Sequence, residues 1–330
     1  MRSVPEILVI GEALIDIVHR ADGSVEEAPG GSPANVAVTL GRLDHAPLLV
    51  TAFGTDKHGE ILRKWLEESL VEVQRLPRIR TATSVADIGV DGSASYQFDL
   101  EWSLPTGLAI NTHGIVHTGS IASYCAPGAD VVRKIIQNMR AKALVTYDPN
   151  IRPSLIGDPS LARLKVEELV AYSDVVKASD EDLLWLYPDI DPVAAASAWQ
   201  RTGPAIVVVT QGPAGATAVY SGGTVTVPGV STTVVDSVGA GDTFMGAVIH
   251  GLLEAGFCDA ASREALHAVE PEILAQLLRV AATAAAVTVS RPGTDPPHRL
   301  ELEQNVLSSS GQSDDPDAAC GSEGGGGAGV

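Results

Sequence analysis

The sequence predicts an α/β fold in which a doubly wound, mostly parallel sheet is flanked by helices and accompanied by a small second β-sheet. Short apolar runs alternate with helix-like segments, as in proteins built from βαβ units. The runs are continuously apolar, which is typical of strands buried on both faces of a parallel sheet. Two Asp-Gly turns between strand-like flanks interrupt this alternation and indicate hairpins of a separate sheet.

Five apolar runs are the predicted strands of the main sheet. In chain order they are ILVIG from Ile7, LLVTAFG from Leu48, GIVHTG from Gly114, ALVTYD from Ala143 and AIVVVT from Ala205. Seven segments are predicted as helices: 34–43, 59–70, 129–140, 161–172, 193–201, 240–253 and 272–288. The hairpins centre on Asp22-Gly23 and Asp91-Gly92, within segments 12–32 and 81–105.

Composition limits the classes of partner. The chain has 22 basic and 41 acidic residues, a formal charge of -19, which excludes a nucleic-acid backbone or an anionic membrane as its main partner. Three widely spaced cysteines without metal-ligand spacing favour a reduced, cytoplasmic protein. We expect no signal peptide or membrane span. A single domain is expected over 1–307, followed by a disordered, acidic, Gly/Ser-rich tail over 308–330.

The stretch DSVGAGDTFMGAV, 236–248, is the most informative motif. It does not fit the dinucleotide G-x-G-x-x-G pattern, and the chain has no Gly-Lys-Ser/Thr of a P-loop and no protein-kinase motifs. The consecutive N–H groups of Gly239, Ala240, Gly241 and Asp242 at a helix start would bind an anion. Asp242 beside that anion would accept the proton of a hydroxyl that attacks phosphorus. Alternatively, Asp242 only complements the helix dipole.

Two motifs resemble those of a known family. DSVGAGDTFMGA resembles the C-terminal signature of the PfkB, or ribokinase-like, carbohydrate kinases, and PGGSPANVAVTLGRL with AFGTDKHG resembles their N-terminal signature. The resemblance implies a ribokinase-like fold with a lid, ATP-dependent phosphorylation of a hydroxymethyl group, and Asp242 as the base. Val238 stands where the family commonly has threonine, which puts one hydroxyl contact near the phosphates in doubt.

The resemblance also implies a sugar site. Asp16 matches the carboxylate that accepts hydrogen bonds from sugar hydroxyls, although alone it would equally suit a polar strand end. Gly30 and Gly31 would let the backbone approach the sugar, and Asn35 would both donate to it and accept from it. The alternative for GGSPAN is a helix-capping turn, because proline follows at the helix start.

A nucleotide and metal site is implied in the same way. KASDED, 177–182, resembles the family's Asn-x-x-Glu segment, and TQGPAGA, 210–216, resembles a turn that borders the nucleotide. The implied nucleotide contacts are Lys177, Ser179, Thr210, Gly212 and Gly215. Asp182 would organise Mg²⁺ through its water shell; the structural alternative is a serine N-cap with acids in the first turn.

The acceptor is less sharply defined. YDPNIRPSL, 147–155, resembles the Asp-Pro-Asn-x-Arg segment of fructokinases and of 2-keto-3-deoxygluconate kinases, and GEALID favours fructokinases. Arg152 would bind hydroxyls, a carboxylate or a phosphate, or would only fix the loop. The favoured function is a fructokinase that uses ATP and Mg²⁺, with K⁺ and a homodimer through the lid as further expectations. A 2-keto-3-deoxygluconate kinase and a non-catalytic sugar-binding protein remain alternatives.

Overall fold

The computed structural model of the chain describes residues 7–20, 22–88, 94–108, 110 and 114–310. Thirteen strands lie within these ranges. They are β1 Ile7–Ile10, β2 Leu14–His19, β3 Val25–Gly30, β4 Leu48–Phe53, β5 Glu72–Pro77, β6 Thr83–Ile88, β7 Ala94–Asp99, β8 Ile115–Gly119, β9 Leu144–Asp148, β10 Val175–Ser179, β11 Ile206–Thr210, β12 Ala216–Tyr220 and β13 Gly223–Val227. All five strands predicted for the main sheet are present, as β1, β4, β8, β9 and β11.

The same ranges hold twelve α-helices. They are α1 Ser32–Arg42, α2 Lys57–Glu68, α3 Ile121–Tyr124, α4 Gly128–Met139, α5 Pro153–Ile156, α6 Pro159–Tyr172, α7 Asp180–Leu186, α8 Pro192–Gln200, α9 Ala240–Glu254, α10 Arg263–His267, α11 Pro271–Val289 and α12 Arg299–Ser310. The seven predicted helices correspond to α1, α2, α4, α6, α8, α9 and α11. Helix α12 continues to Ser310, past the predicted start of the tail at 308, and residues 311–330 lie outside the described part.

The main sheet has nine strands in the order β13-β12-β11-β10-β9-β8-β1-β4-β5. The strands from β11 to β5 in this order are parallel, and β12 and β13 extend the sheet as antiparallel strands. Apolar side chains of α1, α2, α9 and α11 cover one face. Those of α4, α6, α7 and α8 cover the other face. The predicted doubly wound α/β architecture is therefore confirmed.

Four strands of the main sheet were not predicted. In β10 the apolar run is interrupted by the buried Lys177, and β5 is an edge strand whose residues are largely polar and partly exposed. Strands β12 and β13 form an antiparallel hairpin at the opposite edge, and the outermost strand, β13, is largely exposed and has no continuous apolar run. Apolar continuity identifies central strands, and it fails at edges and where a charge is buried.

The second sheet has the order β3-β2-β6-β7 and confirms the predicted small sheet. Strands β2 and β3 form an antiparallel hairpin whose turn contains Asp22 and Gly23, with Gly23 at a φ of 86°. Strands β6 and β7 are also antiparallel, and β2 pairs with β6 in parallel. The predicted turn at Asp91-Gly92 lies outside the described residues.

Helix α11 is long and apolar enough, by length and composition alone, to cross a membrane, and within the described ranges it is the one helix of this kind. Its apolar residues Leu274, Leu277, Leu278 and Ala281 belong to the core cluster that also contains residues of α9. Because α9 and α11 pack side by side beneath the sheet, the apolarity of α11 is that of a core helix.

Candidate active site

The candidate site lies along the edge where the parallel strands of the main sheet end. Strands β1, β8, β9, β10 and β11 are mutually parallel, so the residues after each strand lie at this common edge. Ligands of open α/β sheets bind outside the carboxyl ends of the strands. The predicted site segments 148–152, 177–182 and 210–215 all lie here, and the second sheet adjoins them through the link from β1 to β2.

The N-terminus of α9 carries the predicted anion-binding turn. Gly239 is the N-cap at φ 75° and ψ -1°, and no side chain caps the first N–H groups of the helix. A Cβ on Gly239 would also lie 2.5 Å from the side chain of Thr294, so two constraints favour glycine there. The N–H of Ala240 donates to the backbone oxygen of Ser237 at 3.4 Å, whereas those of Gly241 and Asp242 remain available for an anion, such as a transferring phosphoryl group.

The carboxylate of Asp242 is buried and accepts three hydrogen bonds. Ser32 Oγ donates to Oδ1 at 2.7 Å, Asn150 Nδ2 donates to the same oxygen at 3.0 Å, and Asn35 Nδ2 donates to Oδ2 at 2.7 Å. These donors come from the start of α1 and from the loop after β9. Of the three, only Asn35 was predicted as a site residue; Ser32 and Asn150 lie inside quoted motifs but were given no role.

In the segment 30–35, two glycines bring the backbone close to neighbouring residues, and one buried amide oxygen has no partner in the described part of the chain. A Cβ on Gly30 would lie 2.2 Å from Asp16 Oδ2, and Gly31 has a φ of 103° and faces the backbone oxygen of Glu12. The Oδ1 atom of Asn35 is buried without a hydrogen-bond partner among the described residues. A buried amide oxygen without a partner is costly, and a ligand hydroxyl at this position would satisfy it.

Asp16 lies on β2, opposite Ala28 in the second sheet. Burial raises the pKa of its carboxyl to about 6, against the effects of the Ser84 hydroxyl and of Arg152, and the nearby Asp242 raises it further. Asp242 and Arg152 therefore lie near enough to act electrostatically on this carboxyl. This position agrees with a residue that receives hydrogen bonds from a polar ligand, because a ligand hydroxyl would supply a missing donor.

Arg152 is half-buried and lies among acidic groups. Its Nη1 donates to Asn150 Oδ1 at 2.5 Å, and its backbone N–H donates to Tyr124 Oη at 3.1 Å. Burial would lower its pKa, but Tyr124 and the carboxyls of Asp242, Asp182 and Glu12 together raise it. The guanidinium is thus a charged centre, and its charge is already balanced by the surrounding carboxylates.

Glu12 is a buried carboxyl that was not predicted as a site residue, although it lies in the quoted GEALID. Its Oε2 accepts the N–H of Ala122 at 3.0 Å. Burial raises the pKa of this carboxyl to about 7, opposed by backbone hydrogen bonds, the Ser120 hydroxyl and Arg152. A glutamate two residues after a buried strand was the available signal, but glutamate near a strand end has many structural explanations.

Lys177 and Asp148 form an ion pair of 2.8 Å in which both side chains are buried. Burial opposes the charge of Lys177, but Asp148, Asp182 and Asp242 together raise its pKa, so the ammonium stays protonated. Its Nζ lies 2.9 Å from the position that a Cβ on Gly241 would take. Lys177, predicted as a nucleotide contact, therefore lies beneath the anion-binding turn, where it adds positive charge.

Ser179 and Asp182 form a capping box at the start of α7. Asp182 Oδ2 accepts the N–H of Ser179 at 3.0 Å, and Oδ1 accepts the N–H of Ile151 at 2.8 Å. Both oxygens thus already have donors, and no group of three His, Cys, Asp or Glu side chains that could hold a metal exists in the described part. The site fits an anion at α9 but no directly coordinated metal; the water-mediated role of Asp182 stays a prediction.

The remaining predicted nucleotide contacts cluster after β11. Thr210 pairs with Ser179 in the sheet, so the two residues end neighbouring strands. Gly212 and Gly215 form the following 3₁₀ turn, with φ values of 52° and 103°. A Cβ on Gly215 would lie 2.1 Å from the backbone oxygen of Val227. The two glycines are therefore required by the turn itself, and a nucleotide contact is a prediction beyond that.

The chain is similar to known proteins in both sequence and structure. Residues 4–299 match the family described as pfkB family carbohydrate kinase. A fructokinase of Rhizobium leguminosarum bv. trifolii is 35% identical over 260 residues, which are 74% of this chain and 79% of the relative. The crystal structure of a Xylella fastidiosa fructokinase with bound ATP covers 93% of this chain and 100% of its own, with 26% identity and a TM-score of 0.81.

A second solved structure holds both a sugar and a nucleotide. It is a double mutant of the Vibrio cholerae O395 fructokinase with fructose, ADP and a potassium ion, 25% identical to this chain. It covers 93% of this chain and 98% of its own, with a TM-score of 0.78. The predicted resemblance is confirmed, and the chain, a sugar phosphotransferase with a ribokinase-like fold, belongs to the pfkB family of carbohydrate kinases.

Proposed function

We propose that the protein is an ATP-dependent fructokinase that transfers the γ-phosphoryl group of ATP to a primary hydroxyl of fructose. The observation that carries the proposal is the buried Asp242 carboxylate, held by Ser32, Asn35 and Asn150 at the N-terminus of a helix with free N–H groups. An acceptor hydroxyl beside this carboxylate would lose its proton to Asp242 while it attacks phosphorus. Within the segment 239–242, the available N–H groups of Gly241 and Asp242 would stabilise the charge of the transferring group.

The sugar would be held by both sheets. Asp16 would accept hydrogen bonds from two sugar hydroxyls, and the unpartnered Oδ1 of Asn35 would accept one from a third. Gly30 leaves the Asp16 carboxylate in place, because a Cβ there would lie 2.2 Å from its Oδ2, and Gly31 would let the backbone approach the sugar. Closure of the second sheet over the sugar would exclude water, which otherwise would compete as the phosphoryl acceptor.

Charge favours a neutral acceptor over 2-keto-3-deoxygluconate. Arg152 is the cation of the sugar site, and the nearby carboxylates of Asp242, Asp182 and Glu12 already raise its pKa. Arg152 in turn lowers the pKa of the Asp16 carboxyl. A substrate carboxylate would add a negative charge to a site with more carboxylates than cations, which costs free energy unless a further cation is supplied. Fructose brings no such charge, so the same arginine would orient its hydroxyls.

The cofactors and partners of this proposal follow from the family. ATP would bind over the segment 210–215 and the start of α9, and Mg²⁺ would neutralise phosphate charge and contact Asp182 through water. A monovalent cation such as K⁺ is included because the Vibrio cholerae relative holds a potassium ion. We also propose that the protein is cytoplasmic and that it forms a homodimer through the second sheet, which would be the lid.

The test is an acceptor screen with the purified protein, ATP and Mg²⁺, in which ADP formation is followed. Fructose-dependent ADP formation is the expected result, and its complete absence with every sugar and sugar acid would leave only a non-catalytic sugar-binding protein. Asp242→Asn is the matched variant: turnover should fall by roughly 100-fold or more, with the affinity for sugar changed only a few-fold. Near-normal turnover of Asp242→Asn would remove this residue from the mechanism.

A further inference from the structure

Asn150 occupies an unusual backbone position two residues after β9. Its φ is 37°, in the left-handed region that asparagine tolerates better than most residues. Asp148 Oδ1 accepts its N–H at 3.2 Å, and Tyr124 Oη donates to its backbone oxygen at 3.4 Å. The backbone is therefore held from two sides, which fixes the direction in which the side chain leaves the chain.

The side-chain amide of Asn150 bridges a cation and the predicted base. Its Oδ1 accepts from Arg152 Nη1, and its Nδ2 donates to Asp242 Oδ1 at 3.0 Å and to Ser32 Oγ at 2.9 Å. A guanidinium only donates and an ionised carboxylate only accepts. Only one of the two amide orientations satisfies both neighbours, so Arg152 determines that the NH₂ group points at Asp242.

The hydrogen bonds to Asp242 distinguish its two oxygens. An ionised carboxylate offers about four lone-pair sites, two on each oxygen. Oδ1 already accepts from Ser32 and Asn150, whereas Oδ2 accepts from Asn35 alone. Oδ2 therefore keeps a lone pair for an incoming hydroxyl, and the unpartnered Oδ1 of Asn35 lies on the same side chain that donates to it.

We propose that Asn150 is a positioning residue for phosphoryl transfer: oriented by Arg152, it occupies Oδ1 of Asp242 together with Ser32 and leaves Oδ2 as the atom that takes the acceptor proton. The proposal rests on the proposed function, in which Asp242 is the base. The proton passes from the acceptor hydroxyl to Asp242 Oδ2 as the new oxygen–phosphorus bond forms and the bond from phosphorus to ADP breaks.

The test compares pH profiles of kcat/KM for fructose in the wild type, Asn150→Asp and Asn150→Ala. Asn150→Asp keeps the shape of the side chain but replaces a donor with a second carboxylate beside Asp242. The acid limb should move to higher pH by about one unit or more, and kcat should fall at least about tenfold, with KM for ATP nearly unchanged. Asn150→Ala should lower kcat by a similar factor, and it should move the acid limb less than Asn150→Asp does because it adds no charge.

The other charged residues that act on Asp242 are the same in all three proteins. They are Arg152, Lys177, Asp148 and Asp16. Asn138→Asp, on the exposed face of α4, makes the same chemical change far from the site and should leave the profile unmoved. Thermal melting checks folding; if the Asn150 variants do not fold, Ser32→Ala removes the other donor to Oδ1 and should also move the acid limb upward.

The outcomes separate the two proposals. An active wild type whose acid limb and kcat are unchanged in Asn150→Asp overturns the role of Asn150 and leaves the proposed function intact. A wild type that phosphorylates no acceptor overturns the proposed function, and the role of Asn150 with it. A shifted limb with retained affinity for ATP supports both, because loss of folding alone would lower activity without moving the pH profile.

Discussion

Lys177 Nζ lies directly against Gly241, at 2.9 Å from the place that a Cβ would occupy on this glycine. Glycine at 241 is therefore needed for close approach and not for its backbone angle, since its φ is not in the left-handed region. The ammonium is held there by Asp148, and the pair lies under the first turn of α9. Helix N–H groups above and a buried cation below act on the same small volume, which favours an anion there.

Gly241→Ala should therefore impair phosphoryl transfer more than folding. The new methyl group would push Lys177 away from its position, and because Asp148 holds the ammonium, it has little freedom to move. We expect kcat to fall at least about tenfold, with the melting temperature lowered by a few degrees. Steady-state kinetics and thermal melting measure both. Gly256→Ala, at a φ of 88° and with no atom of the described residues within 4 Å of the added Cβ, introduces backbone strain without a collision at the far end of α9, so it should lower the melting temperature and leave kcat unchanged. A Gly241→Ala variant with the kcat of the wild type would contradict the need for close approach.

The parts of the site that lie close together in sequence are those that the sequence predicts. The segment 239–242 and the helix it starts follow from local pattern alone. Ser32 and Asn150 meet Asp242 across 210 and 92 residues, and serine and asparagine in a turn have many structural explanations. Only the fold shows that the sheet edge brings them together. Lys177 likewise interrupts an apolar strand, and its partner Asp148 lies in a different strand.

Glu12→Gln should stabilise the protein at alkaline pH. Burial raises the pKa of Glu12 to about 7, so the folded state holds this proton more tightly than the unfolded state, whose pKa is near 4.5. The contribution of protonated Glu12 to the free energy of unfolding is complete below pH 4.5 and is lost as the pH rises from 4.5 through 7. The neutral glutamine avoids this loss, and we expect about 2 kcal/mol of extra stability at pH 8.

Urea unfolding of the wild type and Glu12→Gln at pH 4.5 and pH 8 measures this difference. The gain should appear at pH 8 and vanish at pH 4.5, which provides an internal control. A variant that is less stable than the wild type at pH 8 would mean that the attraction between Glu12 and Arg152 outweighs burial.

The pair His45 and His250 should limit stability in acid. Their ring nitrogens lie 2.9 Å apart, and both rings are buried between the end of α1 and α9. Burial and His250 lower the pKa of His45 to about 4, and burial lowers that of His250. The facing charged groups are Asp44, Glu254, Arg299 and Glu303. The unfolded state binds more protons between pH 6.5 and 4, so stability falls as pH falls through this window.

His250→Asn should flatten this dependence, because it removes one titrating ring and leaves a polar group for His45. Melting temperatures between pH 7 and pH 4 measure the slope, with a wild-type loss of about 2 kcal/mol expected over the window. His298→Asn, at an exposed histidine, is the control and should keep the wild-type slope. Equal slopes in all three proteins would show that other groups dominate acid unfolding.

The C-terminal segment beyond α12 should be dispensable, a proposal that follows from its composition. Residues 311–330 carry glycine, serine and four acids with no apolar periodicity, so they offer little surface to bury. Truncation after Ser310 should leave activity and melting temperature unchanged. Truncation after His298 removes α12, whose Leu302 is buried in the core, and should lower the melting temperature by several degrees. A lower melting temperature after truncation at Ser310 would mean that the tail docks onto the folded domain.

The choice of acceptor is tested at Arg152 and Asp16 together. With neutral fructose, Asp16 makes the charged hydrogen bonds to the sugar and Arg152 acts through Asn150 and by orienting hydroxyls. With 2-keto-3-deoxygluconate, Arg152 would have to pair with the substrate carboxylate, and Arg152→Gln would then cost at least about 2 kcal/mol in apparent affinity. The surrounding acids favour the first case, so we expect Arg152→Gln to affect KM for fructose mildly and Asp16→Asn to affect it strongly.

Asp16→Asn is nearly isosteric and retains one acceptor, so a large loss of affinity for fructose would be due to the lost negative charge. Specificity constants of the wild type and both variants for the two acceptors decide the matter, and a preference above about tenfold for the acid, roughly 1.4 kcal/mol, would overturn the assignment to fructose.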